Sequence, residues 1–116
     1  MFKRGDIVVV PFPFVDRDKT KKRPALIISN KKVNSSRDYI MVQITSKEKN
    51  ESLSVEIQPN DFMESPLSLR SFVRCHKIFS LNESLIQYKY SSVSELFLNK
   101  VIDKVNSLIE SEVGKT

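Results

Sequence analysis

The chain reads as a mainly β domain, a small antiparallel barrel or strongly curled sheet with one C-terminal α-helix across an opening. Three observations predict it. Short apolar runs rich in β-branched residues recur between polar loops, Ser52 to Ile57 alternates strictly between polar and apolar, and helical periodicity is confined to the stretch after Ser92. With 116 residues, 40% apolar and 28% charged, the chain can bury one core and is too short for a separate second lobe. A single domain over 1–116 is expected.

Gly5-Asp6 leads into Ile7-Val8-Val9-Val10, a strand buried on both faces, which Pro11-Phe12-Pro13-Phe14 brings to a stop. Val15 to Lys22 is a polar loop. Arg23-Pro24 opens a second strand, Ala25 to Ser29, since proline is tolerated at a first strand position. A basic polar loop from Asn30 to Arg37 precedes a third strand, Asp38 to Ser46. In the alternating fourth, Leu53, Val55 and Ile57 face inward and Ser52, Ser54 and Glu56 face water. After a turn at Pro59 and a short helix near Asp61 to Glu64 comes a fifth strand, Ser71 to Ile78. On it Phe72, Arg74 and His76 share one face, and Val73, Cys75 and Lys77 the other. Ser92 and Glu95 stand at capping-box spacing, and Val93, Leu96, Phe97, Val101, Val105, Leu108 and Ile109 recur at helical intervals.

Composition removes several classes of function. A lone cysteine, Cys75, forms no internal disulfide, and one histidine is too few for a Cys/His zinc site. There is no tight Asp/Glu cluster, and the only glycines, Gly5 and Gly114, make no phosphate loop, so neither metal nor cofactor is expected. No apolar run approaches the roughly 20 residues of a bilayer span, and Met1 to Arg4 leads into a strand, not a signal peptide. A cytoplasmic protein without membrane contact is expected.

The net charge of +5 is unevenly placed. From Arg17 to Arg37, eight cations face one anion, Asp18, so this segment carries +7 and the remainder −2. Such segregation suits a phosphate backbone, whose neutralisation releases condensed counterions, and it equally suits a pair of solvated loops.

Polar side chains at strand ends narrow the choice. Arg23 opens the second strand, Thr45 and Ser46 close the third, and Arg74 and His76 emerge together from the fifth. Guanidinium forks stabilise the extra negative charge of a pentacoordinate phosphorus, hydroxyls donate to phosphate oxygens, and imidazole moves protons near neutral pH. The set fits metal-independent RNA cleavage, in which the 2′-hydroxyl attacks its own phosphate to leave a 2′,3′-cyclic phosphate and a 5′-hydroxyl. Each residue alone has a structural explanation too. Arg-Pro can simply open a strand, Thr45-Ser46 can form a turn through side-chain bonds to backbone, and Cys75 is a small core hydrophobe.

The ordered blocks carry a resemblance. Arg4-Gly5-Asp6-Ile7-Val8-Val9-Val10-Pro11-Phe12-Pro13-Phe14, Lys22-Arg23-Pro24-Ala25-Leu26-Ile27-Ile28-Ser29, Ile44-Thr45-Ser46 and Ser71-Phe72-Val73-Arg74-Cys75-His76-Lys77-Ile78-Phe79-Ser80-Leu81 resemble, in that order, the MazF/PemK/Kid toxins of bacterial toxin–antitoxin systems. The resemblance implies an SH3-like barrel of the PemK/CcdB type. It also implies a homodimer and ribosome-independent cleavage of single-stranded mRNA at short motifs. A cognate antitoxin, whose flexible tail covers the RNA groove and which is itself the only link to DNA, would inhibit it. Residue by residue it assigns catalysis to Arg23, Thr45 and Arg74. The PemK/Kid branch has an aspartate where this chain has His76, which places an imidazole in that acid/base role. Arg17, Lys19, Lys21, Lys22, Ser46 and Lys77 are the expected RNA contacts, with Val15 to Lys22 as a mobile basic lip.

Two other readings share the barrel. A CcdB-like gyrase poison would need a Trp-bearing C-terminal end, whereas this chain has no Trp and ends Glu112-Val113-Gly114-Lys115-Thr116. A non-catalytic barrel that binds RNA or antitoxin satisfies the charge pattern equally well.

Overall fold

Local chemistry sets each element before the sheet assembles. In the computed structural model, which describes residues 1–11, 21–47 and 52–112, the strands are β1 (Asp6–Pro11), β2 (Lys22–Ile27), β3 (Asp38–Thr45), β4 (Ser54–Ile57), β5 (Ser71–Asn82) and β6 (Tyr88–Ser92). One turn of helix, α1 (Lys31–Asn34), follows β2, and α2 (Glu95–Ile109) closes the described chain. The six strands form one antiparallel sheet in the order β4-β5-β3-β2-β1-β6.

The predicted fold class holds, with element boundaries moved for identifiable reasons. Asn30 to Arg37 is not all loop: the Asn30 side chain accepts from Lys32 N at 3.0 Å and caps α1. The short helix expected near Asp61 to Glu64 is a 3₁₀ turn at Pro59–Asp61 instead, begun by proline and closed by the Asp61 carboxylate on Gln58 N. Helix α2 is capped by Ser94, not Ser92, because Ser92 and Val93 are engaged elsewhere: Met63 N donates to Ser92 O and Val93 N to Gly5 O. The apolar stripe of α2 is Phe97, Leu98, Val101 and Val105, all buried, while Leu96, Leu108 and Ile109 lie exposed.

β5 runs four residues past Ile78 and changes register on the way. Val42 pairs with Ile78, but the next β3 residue, Gln43, pairs with Arg74, so Cys75, His76 and Lys77 form a wide bulge. Within it Cys75 stays inside, with no exposed surface, and His76 turns out to solvent.

Both faces of the sheet are apolar. One core cluster joins Ile7, Leu26, Val42, Val73 and Cys75 to α2, and the other gathers Val8, Val10, Ala25, Ile27, Tyr39 and Met41 with Ile86. The segment from Phe62 to Pro66 covers the β6 edge, through the Phe62–Val93 bridge and a bond from the Tyr90 hydroxyl to Pro66 O. Gly5, at φ +94°, makes the turn that joins these layers. Its N–H donates to Ile27 O at 2.8 Å, and an added Cβ would meet Leu98 and Val93 at 3.6 Å on a backbone that L side chains rarely adopt. Arg4 then pairs with Glu95 at 2.7 Å and ties the turn to α2.

Candidate active site

Proline at position 24 shapes the site. β2 pairs with β1 along its length, from Lys22 opposite Pro11 to Leu26 opposite Ile7, but it pairs with β3 only from Ala25 onward. Pro24 has no N–H to give a neighbouring strand, so the two strands part at that point. The gap is a cavity of about 180 Å³ with Arg23 and Pro24 on one wall and Ile44, Thr45 and Ser46 on the other. Leu67, Ser68, Leu69 and Ser71 complete it.

The segment over the cavity is held from outside. Arg70 makes two bonds to the Glu56 carboxylate, at 2.6 and 3.0 Å, and its guanidinium lies 5.2 Å from the centre of the Phe72 ring. The Arg70 bonds hold the Glu56 carboxyl below its usual range.

Arg23 and Thr45, named from widely separated motifs, therefore face one space, and Ser46 joins them. The Thr45 hydroxyl oxygen accepts from Lys47 N at 3.1 Å, the turn its structural reading anticipates. That bond uses a lone pair and leaves the hydroxyl hydrogen available to donate. Lys22 lines the same cavity and donates to the Gln87 side-chain oxygen at 3.2 Å. Lys21 is exposed just before it.

Arg74 and His76 do not line this cavity. Arg74, half-buried, donates to the Gln43 amide oxygen at 3.1 Å, and Gln43 stands two residues before Thr45 on the same face of β3. Arg74 thus sits at the base of the fork where β2 and β3 separate. Its Nε is enclosed and has no hydrogen-bond partner among the described residues. His76 is exposed on the bulge beside it. Desolvation, then the nearby Arg74 and Lys77 cations, hold its pKa below the usual 6.5, so the imidazole is neutral at pH 7. Arg17, Lys19 and most of the Val15 to Lys22 lip lie outside the described residues.

Sequence reasoning missed Gln43, although a signal was there: it is a polar residue inside the apolar run Tyr39 to Ile44, at a position that is 5% exposed. A buried amide in a strand demands a partner. Sequence reasoning also missed Tyr88 and Tyr90. They line a second cavity of about 500 Å³ with Val9, and that cavity shares Lys22, Arg23, Pro24 and Leu67 with the first. No group of three or more His, Cys, Asp or Glu side chains suited to a metal ion occurs among the described residues. No helix among them is long and apolar enough to cross a membrane.

A six-stranded curled sheet with a terminal helix and a cationic, hydroxyl-lined cleft between two parted strands defines a small β half-barrel. Residues 3–109 match the family described as PemK-like, MazF-like toxin of type II toxin–antitoxin systems, and the chain belongs to it. The fold recurs in a Mycobacterial endoribonuclease solved in complex with its cognate antitoxin, at 19% identity and a TM-score of 0.74 over 92% of this chain and 93% of that one. It recurs in MazF from Deinococcus radiodurans, at 22% identity and 0.73 over 93% and 96%. A MazE–MazF structure from the same organism gives 21% identity and 0.73 over 93% and 95%. No curated protein matches the chain in sequence.

Proposed function

We propose that this toxin is an endoribonuclease that cuts single-stranded RNA without a metal ion and is held in check by a cognate antitoxin. The observation that carries the reading is the convergence of Arg23 and Thr45 on one cavity between β2 and β3. The family's toxins, the endoribonuclease name borne by a fold relative and that relative's antitoxin complex support it.

In this reading the scissile phosphate sits in the gap. Arg23 lies against the non-bridging oxygens and stabilises the charge that builds on the phosphorane, a role suited to a guanidinium that stays protonated. The Thr45 and Ser46 hydroxyls donate to the same oxygens and fix the phosphate's orientation. The 2′-oxygen forms its bond to phosphorus as the bond to the 5′-oxygen breaks. His76, outside the cavity on the β5 bulge and neutral at pH 7, takes the 2′-hydroxyl proton where the bound strand extends from the gap toward it, and the leaving oxygen is protonated from water in the open cleft. Arg74, fixed by Gln43, adds positive charge beside the imidazole. Lys21, Lys22 and Lys77, with Arg17 and Lys19, draw in the backbone. The active species is a homodimer, in which two copies set two basic clefts side by side.

The test is to incubate purified protein with a long mixed-sequence RNA and the matching DNA in the presence of a chelator. RNA fragments with 5′-hydroxyl and cyclic phosphate ends, and intact DNA, are expected. Intact RNA that nonetheless binds the protein would return the molecule to a silent binding barrel.

A further inference from the structure

We propose that Tyr88 and Tyr90 form a shelf on which unpaired bases of the bound RNA stack, next to the phosphate held at Arg23. The inference rests on the reading of the cleft as an RNA site and adds to it which side chains hold the neighbouring nucleotides. Three observations carry it.

The first is continuity. The tyrosine-lined cavity and the Arg23–Thr45 cavity share Lys22, Arg23, Pro24 and Leu67, so one groove runs from Ser46 past Arg23 to β6. Tyr88 pairs with Val9, and Val9 pairs with Pro24, so the Tyr88 backbone lies two interstrand spacings, about 10 Å, from that of Pro24. A strand that seats a phosphate at Arg23 brings its next nucleotides to the tyrosines.

The second is presentation. β6 carries a register shift opposite Ile7 and Val8, with Ser91 facing Ile7 and Lys89 facing Val8, so Tyr90 is the extra, bulged residue. The bulge lets both rings line the groove. Tyr90 is 36% exposed, with its hydroxyl anchored on Pro66 O at 2.9 Å. Tyr88 is 54% exposed, and its hydroxyl makes no hydrogen bond among the described residues. A ring fixed by its hydroxyl presents a π-face at little entropic cost.

The third is the company the rings keep. Lys89, between them, is committed to Glu64 at 3.3 Å and Asp6 at 3.6 Å, whereas among the described residues Lys22 meets only the neutral Gln87 amide and keeps its charge for an anion. Aromatic faces beside a cation that no described carboxylate pairs suit nucleotides better than an apolar protein surface. Stacking also tolerates any base, so the shelf holds the strand while the cleft does the chemistry.

The chain makes the test direct: it has no Trp and three Tyr, and Tyr39 is fully buried with its hydroxyl on Glu83. Tyrosine emission therefore reports on the shelf. The probe is a short mixed-sequence 2′-O-methyl RNA, which binds and cannot react through its 2′-oxygen. Saturation is expected to quench the emission. Tyr88→Ala and Tyr90→Ala should each weaken binding roughly 5- to 150-fold. Tyr88→Phe and Tyr90→Phe should restore affinity to near the parent value, since the π-face remains, and removal of each fluorophore in turn assigns the quenched ring. Duplex RNA of the same sequence, its bases already stacked, should quench little. Unquenched emission at saturation, or parental affinity in the folded double alanine variant, overturns the shelf and leaves these rings to a protein partner. Cleavage of ordinary RNA by the parent is scored separately: its absence sinks the nuclease reading while the stacking data stand.

Discussion

Both ends of β2 carry clustered cations, and Arg37 at one end and Lys22 at the other are wired differently. At the end that follows the strand, some 20 Å away by the rise of an extended chain, Arg37 donates to Glu83 at 2.9 Å and Glu83 also accepts the Tyr39 hydroxyl at 2.7 Å. Nearby, Ser29 and Asn34 satisfy each other inside the fold. Arg4, Arg70 and Lys89 likewise have carboxylate partners. At the cleft end two cations have amide partners: Lys22 donates to Gln87 and Arg74 to Gln43. A carboxylate cancels a cation's field, whereas an amide only positions it. Within the +7 segment, Arg37 is thus neutralised by a carboxylate, whereas Lys22 is positioned by an amide and keeps its attraction for phosphate.

The largest test of that contrast removes the groups at the cleft itself. Arg23→Ala or Thr45→Ala should lower RNA cleavage by roughly 10²- to 10³-fold, the loss usual for one oxyanion-stabilising donor. Far-ultraviolet circular dichroism should be unchanged, because both side chains line an open cavity. Arg37→Ala, at the other end, should leave the rate near the parental value. A folded Arg23→Ala variant with full activity would remove Arg23 from the chemistry.

A gentler change rewires one end to resemble the other. Gln43→Glu places a carboxylate against Arg74, and Gln87→Glu places one against Lys22. Each should cancel about one cation's pull on the backbone and flatten the slope of log affinity against log salt by about 0.7, the value per phosphate on a single strand. Arg37→Gln should leave that slope unchanged. Equal slopes in all three variants would mean that the two clusters contribute alike.

How far the sequence reveals this division depends on how local each cause is. Arg23 and Thr45 are legible because strand ends and Pro24 are local features, and the gap follows from a missing N–H on one residue. The different pairing of Arg37 and Lys22 is not legible, since it depends on which segments pass nearby: Glu83 and Gln87 are remote in sequence from them. The β5 bulge is hidden for the same reason. Alternation from Phe72 to Ile78 looks unbroken, and only pairing with β3 shows that three residues leave the ladder. β6 is missed because Tyr88-Lys89-Tyr90-Ser91-Ser92 has no apolar run and is held by its pairing with β1 and the Phe62–Pro66 segment.

A third prediction concerns the pH profile. A histidine held below 6.5 stays neutral and able to accept a proton further into the acid range than a free imidazole. If His76 is the base, the acid limb of kcat/KM, which reports the free enzyme, should fall below pH 6.5. The limb should vanish in His76→Ala and move lower still in His76→Asp, a carboxylate of ordinary pKa near 3.9. An acid limb identical in all three proteins would assign proton transfer elsewhere, with Arg74 and His76 acting only on binding.

The smallest expected effect contrasts two neighbours on the bulge. Cys75 lies one residue before His76 yet points into the core, where burial pushes its thiol up to about 11. At pH 8 only about one thiol in a thousand is ionised, and that one is covered. Iodoacetamide should therefore leave the folded protein unmodified and fully active, while denaturant exposes Cys75 to alkylation. Diethyl pyrocarbonate, by contrast, should modify the exposed His76 in the native state and slow cleavage. Rapid alkylation of Cys75 without denaturant would show that the bulge opens readily, and the sharp inside-to-outside step between these two residues, on which the placement of His76 depends, would not hold in solution.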